Sequence, residues 1–156
     1  MNIEKFQNEI GIIYSDVSLI EKALTHRSYA YEHGVESYEK LEYLGDAILE
    51  FVISDFLFQN YKNLSEGEMT KVRASVVCED SLYKIAVKHN FSDFLNLGKS
   101  ELASGTDKPA ILADSVEAVI AATYLDRRIR YSKRIYCKKL WRTYKSCSTK
   151  CRTKRL

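Results

Sequence analysis

The sequence predicts an all-α domain. Its 156 residues include one proline and six glycines, and apolar residues recur at three- and four-residue spacings, as on the buried face of a helix. The chain has no internal repeat, and its length is ordinary for one globular domain with a sizeable core. We therefore expect a helical bundle.

The first two predicted helices are short. The spacing of Ile3, Phe6 and Ile10 marks the first of them. The second begins near Val17 and is expected to run on into the sequence THRSY, and a loop around Gly34 follows it.

The longest helix is predicted from about Tyr38 to about Tyr61. It is apolar on nearly every side, which is typical of a helix in the core of a protein. Leu44, Ile48 and Phe51 are expected to form its main packing stripe.

Caps and turn residues predict the later helices. Ser65 and Glu68 have the spacing of a capping box, in which each side chain satisfies a free backbone N–H at a helix start. A further helix is expected after this one, followed by GKSELASGTDK as a polar loop. Asp107 as cap and Pro109 in the first turn are expected to open the last long helix, which runs to about Leu125.

Charge divides the chain into two parts. Residues 127–156 hold 13 of the 24 lysines and arginines and none of the 21 acids, so residues 1–126 carry a net charge of −10. A basic segment suggests an anionic partner such as nucleic acid, although a solvated tail would look similar. We predict a domain over 1–126 and a basic tail over 127–156 that is partly helical or disordered.

The sequence shows no targeting or membrane segment. Its N-terminus lacks the basic and apolar regions of a secretory signal, and carboxylates interrupt each apolar stretch before it reaches the roughly 18 residues of a membrane span. We therefore expect a cytoplasmic chain with no membrane contact. Its four cysteines are expected to be free thiols, and the absence of a C-x-x-C pair disfavours a zinc site.

Two of the apolar helices carry acids. The stretch LEYLGDAILEFVISDFLF is apolar at 12 of 18 positions and holds no basic residue, yet it contains Glu42 and Asp46, and Glu39 precedes it. At 100° per residue these three acids fall within an arc of about 60°. In AILADSVEAVIAATYL the only charged residues are Asp114 and Glu117, which again lie three apart.

Such acids need a cationic partner if they are buried. An unpaired buried carboxylate costs several kcal/mol, and like charges add to that cost. Mg²⁺ is a natural partner for clustered carboxylate oxygens, and its open coordination positions suit phosphodiester hydrolysis. Alternatively, the acids cap helices, pair with distant cations or face solvent. A diiron bundle would need Glu-x-x-His motifs, and no histidine has a glutamate three residues before it.

Four segments resemble those of the ribonuclease III family and stand in the family's order: LTHRSY, YEKLEYLGDAILEF, EGEMTKVRASVV and ILADSVEAVIAATYLD. The resemblance covers about residues 4–126. It implies a bacterial-type, all-helical endonuclease domain that works as a homodimer on double-stranded RNA, such as rRNA or mRNA precursors. It also implies dependence on Mg²⁺, for which Mn²⁺ can substitute, and products with 5′-phosphate and 3′-hydroxyl ends. The alternative is a catalytically silent relative that binds structured RNA.

The resemblance also assigns roles to individual residues. Four acids are expected to bind the metal and carry the reaction: Glu42, Asp46, Asp114 and Glu117. Asp46 and Glu117 are expected to lie nearest the chemistry, and the presence of all four acids favours the enzyme over the silent relative. Glu39 and Glu66 match auxiliary positions at the edge of the site, or else are solvated acids at helix starts. Tyr43 stands where the family usually has a phenylalanine that contacts the partner subunit, or it packs in its own core.

Gly45 and His26 are expected to have structural roles. Gly45 lets two helices approach because it has no side chain, and His26 is expected to be hydrogen-bonded rather than catalytic. Bacterial members of the family usually continue into a double-stranded-RNA-binding domain, which the 30 residues of the tail are too few to form. We expect the tail to contact phosphates without reading bases, or to come from an altered reading frame.

Overall fold

The computed structural model describes residues 2–105 and 108–127. In chain order, the helices within these ranges are α1 Ile3–Ile10, α2 Val17–Ala23, α3 Arg27–His33, α4 Glu39–Asn60, α5 Glu66–Val76, α6 Glu79–Lys88, α7 Lys99–Ala103 and α8 Pro109–Arg127. The described residues contain no strand, only a bridge between Thr25 and Asn96. None of these helices is long and apolar enough to cross a membrane. The predicted all-α bundle is confirmed.

The last helix of the described residues, α8, lies at the centre of the bundle. Ten of its residues are buried, and α4, α6 and α2 all pack directly against it. A helix that is apolar on nearly every side can pack against several neighbouring helices at once, and the sequence of α8 predicts such a core helix. The two long helices that carry the acids are therefore neighbours in the core.

The helices α4 and α8 are in close contact at Gly45. A Cβ atom built on Gly45 would lie 1.9 Å from the carbonyl oxygen of Glu117 and 2.5 Å from its carbonyl carbon. No larger residue fits there without moving a backbone, so the expectation of a close helix approach is confirmed. This contact also sets the position of Glu117 relative to the acids of α4.

The segment after α1 is hydrogen-bonded to the C-terminal end of α8. Asp126 Oδ1 accepts hydrogen bonds from the backbone N–H groups of Ser15, at 2.9 Å, and Asp16, at 2.8 Å. The hydroxyls of Tyr14 and Thr123, both buried, lie 2.6 Å apart. These bonds satisfy polar groups and join the segment that follows α1 to the C-terminal part of α8.

The predicted second helix is wrong at its end. The sequence predicts that it runs into THRSY, but α2 ends at Ala23 and α3 begins at Arg27. The helices are separate because His26 caps the start of α3: its Nδ1 atom accepts a hydrogen bond from the backbone N–H of Ser28 at 3.2 Å. The predicted loop GKSELASGTDK likewise contains the short helix α7.

The packing stripe of α4 also differs from the prediction. Ile48 is buried and Leu44 is partly buried, but Phe51 is 52% exposed. The buried residues of α4 are Leu41, Gly45, Ile48, Leu49, Val52, Ile53 and Leu57. A nearly all-apolar helix offers several possible stripes, and its sequence alone does not select the one that faces α8.

Several predicted helix ends are confirmed. At α5 the backbone N–H of Glu68 donates to Ser65 Oγ, and the backbone N–H of Ser65 donates to Glu68 Oε2, which completes the capping box. The helix α4 starts and stops within one residue of its prediction, and α8 begins with Pro109 in its first turn. The prediction for Asp107 lies outside the described residues, as does the tail beyond Arg127.

Candidate metal centre

Three of the four predicted site acids converge between α4 and α8. Glu42, Asp114 and Glu117 each place a carboxylate oxygen within 4.8 Å of the other two. Glu42 lies in the first turn of α4, and the other two lie one turn apart on α8. All three side chains are partly buried, so the cluster opens to solvent on one side. We call these three residues the acid cluster.

Asp46 lies beside the acid cluster and not within it. It is exposed and follows Glu42 by one turn of α4. Among the neighbouring charges, that of Asp46 contributes most to raising the pKa of Glu117 and least to raising the pKa of Glu42. Asp46 is therefore coupled to the acid cluster through its charge, most strongly to Glu117.

Burial and mutual repulsion make these carboxyl groups weak acids. Burial raises the pKa of Glu117 to about 8, and the charges of Asp46, Asp114 and Glu42 add to the effect. Burial also raises the pKa of Glu42 and of Asp114, with further contributions from neighbouring acids. Without a cation, Glu117 is therefore mostly protonated at neutral pH.

The donor atoms of the acid cluster suit a hard divalent cation. Three carboxylate oxygens on two packed helices leave further coordination positions for water or a phosphate, which is how proteins usually hold Mg²⁺. Mn²⁺ accepts the same oxygen ligands. The cluster contains no histidine or cysteine, so its chemistry does not favour zinc or copper.

The two predicted auxiliary acids lie in different places. Glu39 lines the same cleft as Glu42 and Asp114, a cleft of about 310 Å³ that we call the acid cleft. Glu66 starts α5 and lines a separate cleft between α4 and α5. Within one chain, the structure brings Glu39 to the border of the acid cluster and does not bring Glu66 there.

One side of α4 exposes large aromatic side chains. Tyr43 is 82% exposed, Phe58 is 67% exposed and Phe51 is 52% exposed. Phe51 and Phe58 line the cleft of about 450 Å³ that also contains Met69 and Glu66. Tyr43 therefore does not pack in its own core, and this aromatic side of α4 is a candidate interaction surface.

His26 has the environment of a structural residue. It is buried, its Nδ1 atom accepts the backbone N–H of Ser28, and the same atom lies 2.8 Å from Ser28 Oγ. Burial lowers the pKa of the His26 ring, which keeps the ring neutral and leaves Nδ1 able to accept a hydrogen bond.

Two charged residues near the acid cluster were not predicted as site residues from the sequence. Arg27 lines the acid cleft, and its positive charge lowers the pKa of Glu42 against the larger effect of burial. Glu79 begins α6, and its charge contributes to raising the pKa of Asp114. Arg27 lies in LTHRSY, one of the four segments that resemble the family, so the sequence could have indicated its place near the site. For Glu79 the sequence indicated only a helix start.

The chain belongs to the ribonuclease III-like family. The sequence profile described as ribonuclease-III-like matches residues 16–144, which are most of the chain. The resemblance of the four segments is thereby confirmed.

Curated relatives are named ribonuclease 3. The one from Listeria monocytogenes is 47% identical over 130 residues, which are 81% of this chain and 57% of that protein. The one from Bacillus cereus is 48% identical over 126 residues, which are 78% of this chain and 51% of that protein. The chain therefore spans about half the length of the curated relatives it matches.

Solved structures share the fold. A structure of the nuclease domain of ribonuclease III from Campylobacter jejuni, described with structural flexibility in the region involved in dimer formation, aligns with a TM-score of 0.84 at 35% identity. The alignment covers 91% of this chain and 98% of that one. A second structure of that nuclease domain has a TM-score of 0.81 at 36% identity and covers 89% of this chain and 93% of its own.

Proposed function

We propose that this chain is the endonuclease domain of a double-stranded-RNA-specific ribonuclease, which uses Mg²⁺ and leaves 5′-phosphate and 3′-hydroxyl ends. The observation that carries the proposal is the convergence of Glu42, Asp114 and Glu117, with carboxylate oxygens within 4.8 Å of one another. Membership of the family and 47% identity to a ribonuclease 3 support the same reaction.

The acids have distinct parts in this proposal. Glu42, Asp114 and Glu117 would hold Mg²⁺, or Mn²⁺ in its place, with Asp46 completing the site from its open side. A divalent ion bound there supplies positive charge that stabilises the developing charge on a phosphodiester and favours ionisation of the attacking water. Because the pKa of Glu117 is about 8, binding of the ion at neutral pH must displace a proton from its carboxyl group.

We also propose that the domain works as a homodimer through the aromatic side of α4. Tyr43 and Phe58 are 82% and 67% exposed, and burying such apolar surface contributes roughly 25 cal/mol per Å². The similar Campylobacter nuclease domain has a region involved in dimer formation. Two acid clusters in one assembly would allow both strands of a duplex to be cut. The auxiliary role of Glu66, which lines this side, stays a prediction.

Residues 1–126 carry a net charge of −10, which does not favour the approach of RNA phosphates. We propose that the basic tail over 127–156, with its 13 lysines and arginines, contacts RNA phosphates. Duplex RNA is recognised mainly by its shape, 2′-hydroxyls and phosphates, so such contacts suit precursors of rRNA or mRNA without selecting bases. The boundary at residue 126 and the cytoplasmic location stay predictions.

The test is cleavage of a long perfect RNA duplex in Mg²⁺, with Asp46→Asn and Glu117→Gln beside the unchanged protein. We expect each variant to lose about 100-fold or more in rate, because each removes a charge at the reacting centre. Glu21→Gln on α2, an exposed acid outside the acid cluster, is the matched control and should cut normally. Equal cleavage by all variants would contradict the proposal, and binding without cleavage by the unchanged protein would identify a silent relative.

A further inference from the structure

Arg27 is a cation in a cleft that is otherwise lined by acids and neutral residues. The acid cleft contains two residues of the acid cluster, Glu42 and Asp114, together with Glu39 and Glu101. Among the residues that the structure describes, Arg27 is the only lysine or arginine that lines it. A phosphate entering this cleft beside the proposed metal site would meet one positively charged side chain.

Arg27 also lines a second cleft on the outer side of the first. This cleft has a volume of about 370 Å³ and shares His26, Arg27 and Glu101 with the acid cleft. It continues to Tyr31, whose side chain is 92% exposed on α3. Arg27 therefore stands where the two clefts join, and a strand that leaves the acid cluster along this route would pass over it.

The guanidinium group of Arg27 is available to an external anion. Arg27 forms no ion pair with a carboxylate of residues 2–105 and 108–127, although four acids line the same cleft. Glu101 is paired with Lys108 instead, so its charge is already offset. Arg27 is exposed and affects Glu42 only through its charge, by lowering the pKa of that carboxyl.

The backbone around Arg27 is tied to a neighbouring segment. The backbone N–H of His26 donates to the carbonyl oxygen of Asn96 at 3.1 Å, and the backbone N–H of Gly98 donates to the Ser28 hydroxyl at 2.8 Å. A Cβ atom at Gly98 would lie 2.9 Å from the carbonyl carbon of Ser28, so the two segments are in close contact. A side chain on a fixed backbone is well placed to position a ligand.

We propose that Arg27 binds a backbone phosphate of the RNA strand next to the phosphodiester that is cut. This inference rests on the proposed function, because it takes the acid cluster as the place of cleavage. A guanidinium group suits the role since it can donate two parallel hydrogen bonds to one phosphate. The contact positions the strand and is expected to be indifferent to base sequence.

The test measures RNA binding in the Glu117→Gln background, in which cleavage is suppressed. The dissociation constant for a perfect RNA duplex is measured over a series of NaCl concentrations at constant Mg²⁺. Arg27→Gln should weaken binding and reduce the slope of log K against log salt by about one unit, because one phosphate is no longer neutralised. Arg27→Lys keeps the charge and should keep the slope. Lys88→Gln, at the end of α6 and outside both clefts, is the matched control.

An unchanged salt slope in a folded Arg27→Gln variant would overturn the proposal. If Arg27 only offset the charge of Glu42, Arg27→Gln made alone would change the Mg²⁺ concentration needed for cleavage, and the salt slope in the Glu117→Gln background would stay intact, which also counts against the proposal. Melting curves verify folding, and Arg27→Ala provides the same test if the glutamine variant unfolds. Failure of the proposed function is distinct, because Glu117→Gln would then leave cleavage unaffected, whatever Arg27 contributes to binding.

Discussion

The two sides of α4 differ in how many of their contacts lie within the chain. Toward α8, Gly45 meets the backbone of Glu117, and Glu42 shares the acid cluster with carboxylates of that helix. On the aromatic side, Tyr43 and Phe58 are largely exposed. Contacts within the chain build the acid cluster, whereas the aromatic side depends, in our proposal, on a second copy.

The two sides of α4 are also unfavourable for different reasons: one buries carboxylates, and the other exposes apolar surface to water. Toward α8, carboxylates are held in a partly buried place, which raises the pKa of Glu117 to about 8 and is relieved by a proton or a cation. On the aromatic side, apolar surface is left in water, and that cost is relieved by association. One helix thus carries both an acid of the acid cluster and an exposed aromatic surface.

Gly45→Ala should have the largest effect on stability, because it disrupts the contact between α4 and α8. The added Cβ would lie 1.9 Å from the carbonyl oxygen of Glu117, so the two helices must separate. We expect the free energy of unfolding, measured by urea denaturation, to fall by about 3 kcal/mol or more, and cleavage to fall with it.

Gly67→Ala is the matched control for this substitution. A Cβ atom at Gly67 in α5 meets nothing within 4 Å, so alanine should be neutral or stabilise the domain by up to about 1 kcal/mol. Equal losses in both variants would contradict the close approach of α4 and α8 at Gly45.

The sequence predicts the fold best where a pattern has a single solution. The capping box of Ser65 and Glu68 has one geometry, and the structure contains it. The nearly all-apolar pattern of α4 has several solutions, so the exposed position of Phe51 was not predictable from spacing. The break between α2 and α3 depends on the cap by His26, whose backbone N–H donates to the carbonyl oxygen of Asn96, and spacing does not reveal this distant contact.

The candidate site follows the same rule. Acids three apart in two apolar helices must lie on one face of each helix, and the structure brings Glu42, Asp114 and Glu117 together. Asp46 has the same spacing signal, yet its exposure depends on how α4 is rotated against α8. Arg27 joins the acid cleft through the tertiary contact of α3 with the rest of the bundle, and no periodic pattern reports such a contact.

Tyr43→Ser tests the role of the aromatic side of α4 in self-association. Removing this ring should weaken self-association at least about tenfold, which corresponds to about 1.4 kcal/mol, as measured by sedimentation equilibrium. The unfolding free energy of the dilute protein should change by less than about 0.5 kcal/mol, because the ring is 82% exposed within the chain.

The matched control for the dimer contact is Tyr31→Ser, which removes a ring that is 92% exposed on a different helix, α3. This variant should associate like the unchanged protein. A monomer–dimer equilibrium that is indifferent to both Tyr43→Ser and Phe58→Ser would show that the aromatic side of α4 is not the contact.

The smallest expected effect is the pH dependence of the metal-free domain. The pKa of Glu117 rises from 4.5 to about 8 on folding, so its protonated form stabilises the native state below pH 4.5, and this contribution is lost as pH rises toward 8. We expect the free energy of unfolding in EDTA to fall by about 1 kcal/mol or more across this window. Glu42 and Asp114, whose pKa values are also raised, contribute with the same sign.

Glu117→Gln separates this contribution from other titrations. The variant cannot ionise at this position and should lose most of the decline between about pH 5 and pH 8. Acids whose pKa is lowered, such as Glu68 and Asp126, act at lower pH, where they favour the folded state as pH increases. Stability that is flat or rises through the window in the unchanged protein would argue against a buried Glu117.

The bonds that join Ser15 and Asp16 to Asp126 have a consequence for synthesis on the ribosome. They link groups 111 and 110 residues apart, and they end on α8, the helix around which the core is built. At about 5–20 residues per second, roughly 5–20 s separate the emergence of the two partners. During that time the apolar faces that α8 will cover have no final partner, so the nascent chain exposes apolar surface until α8 has been made.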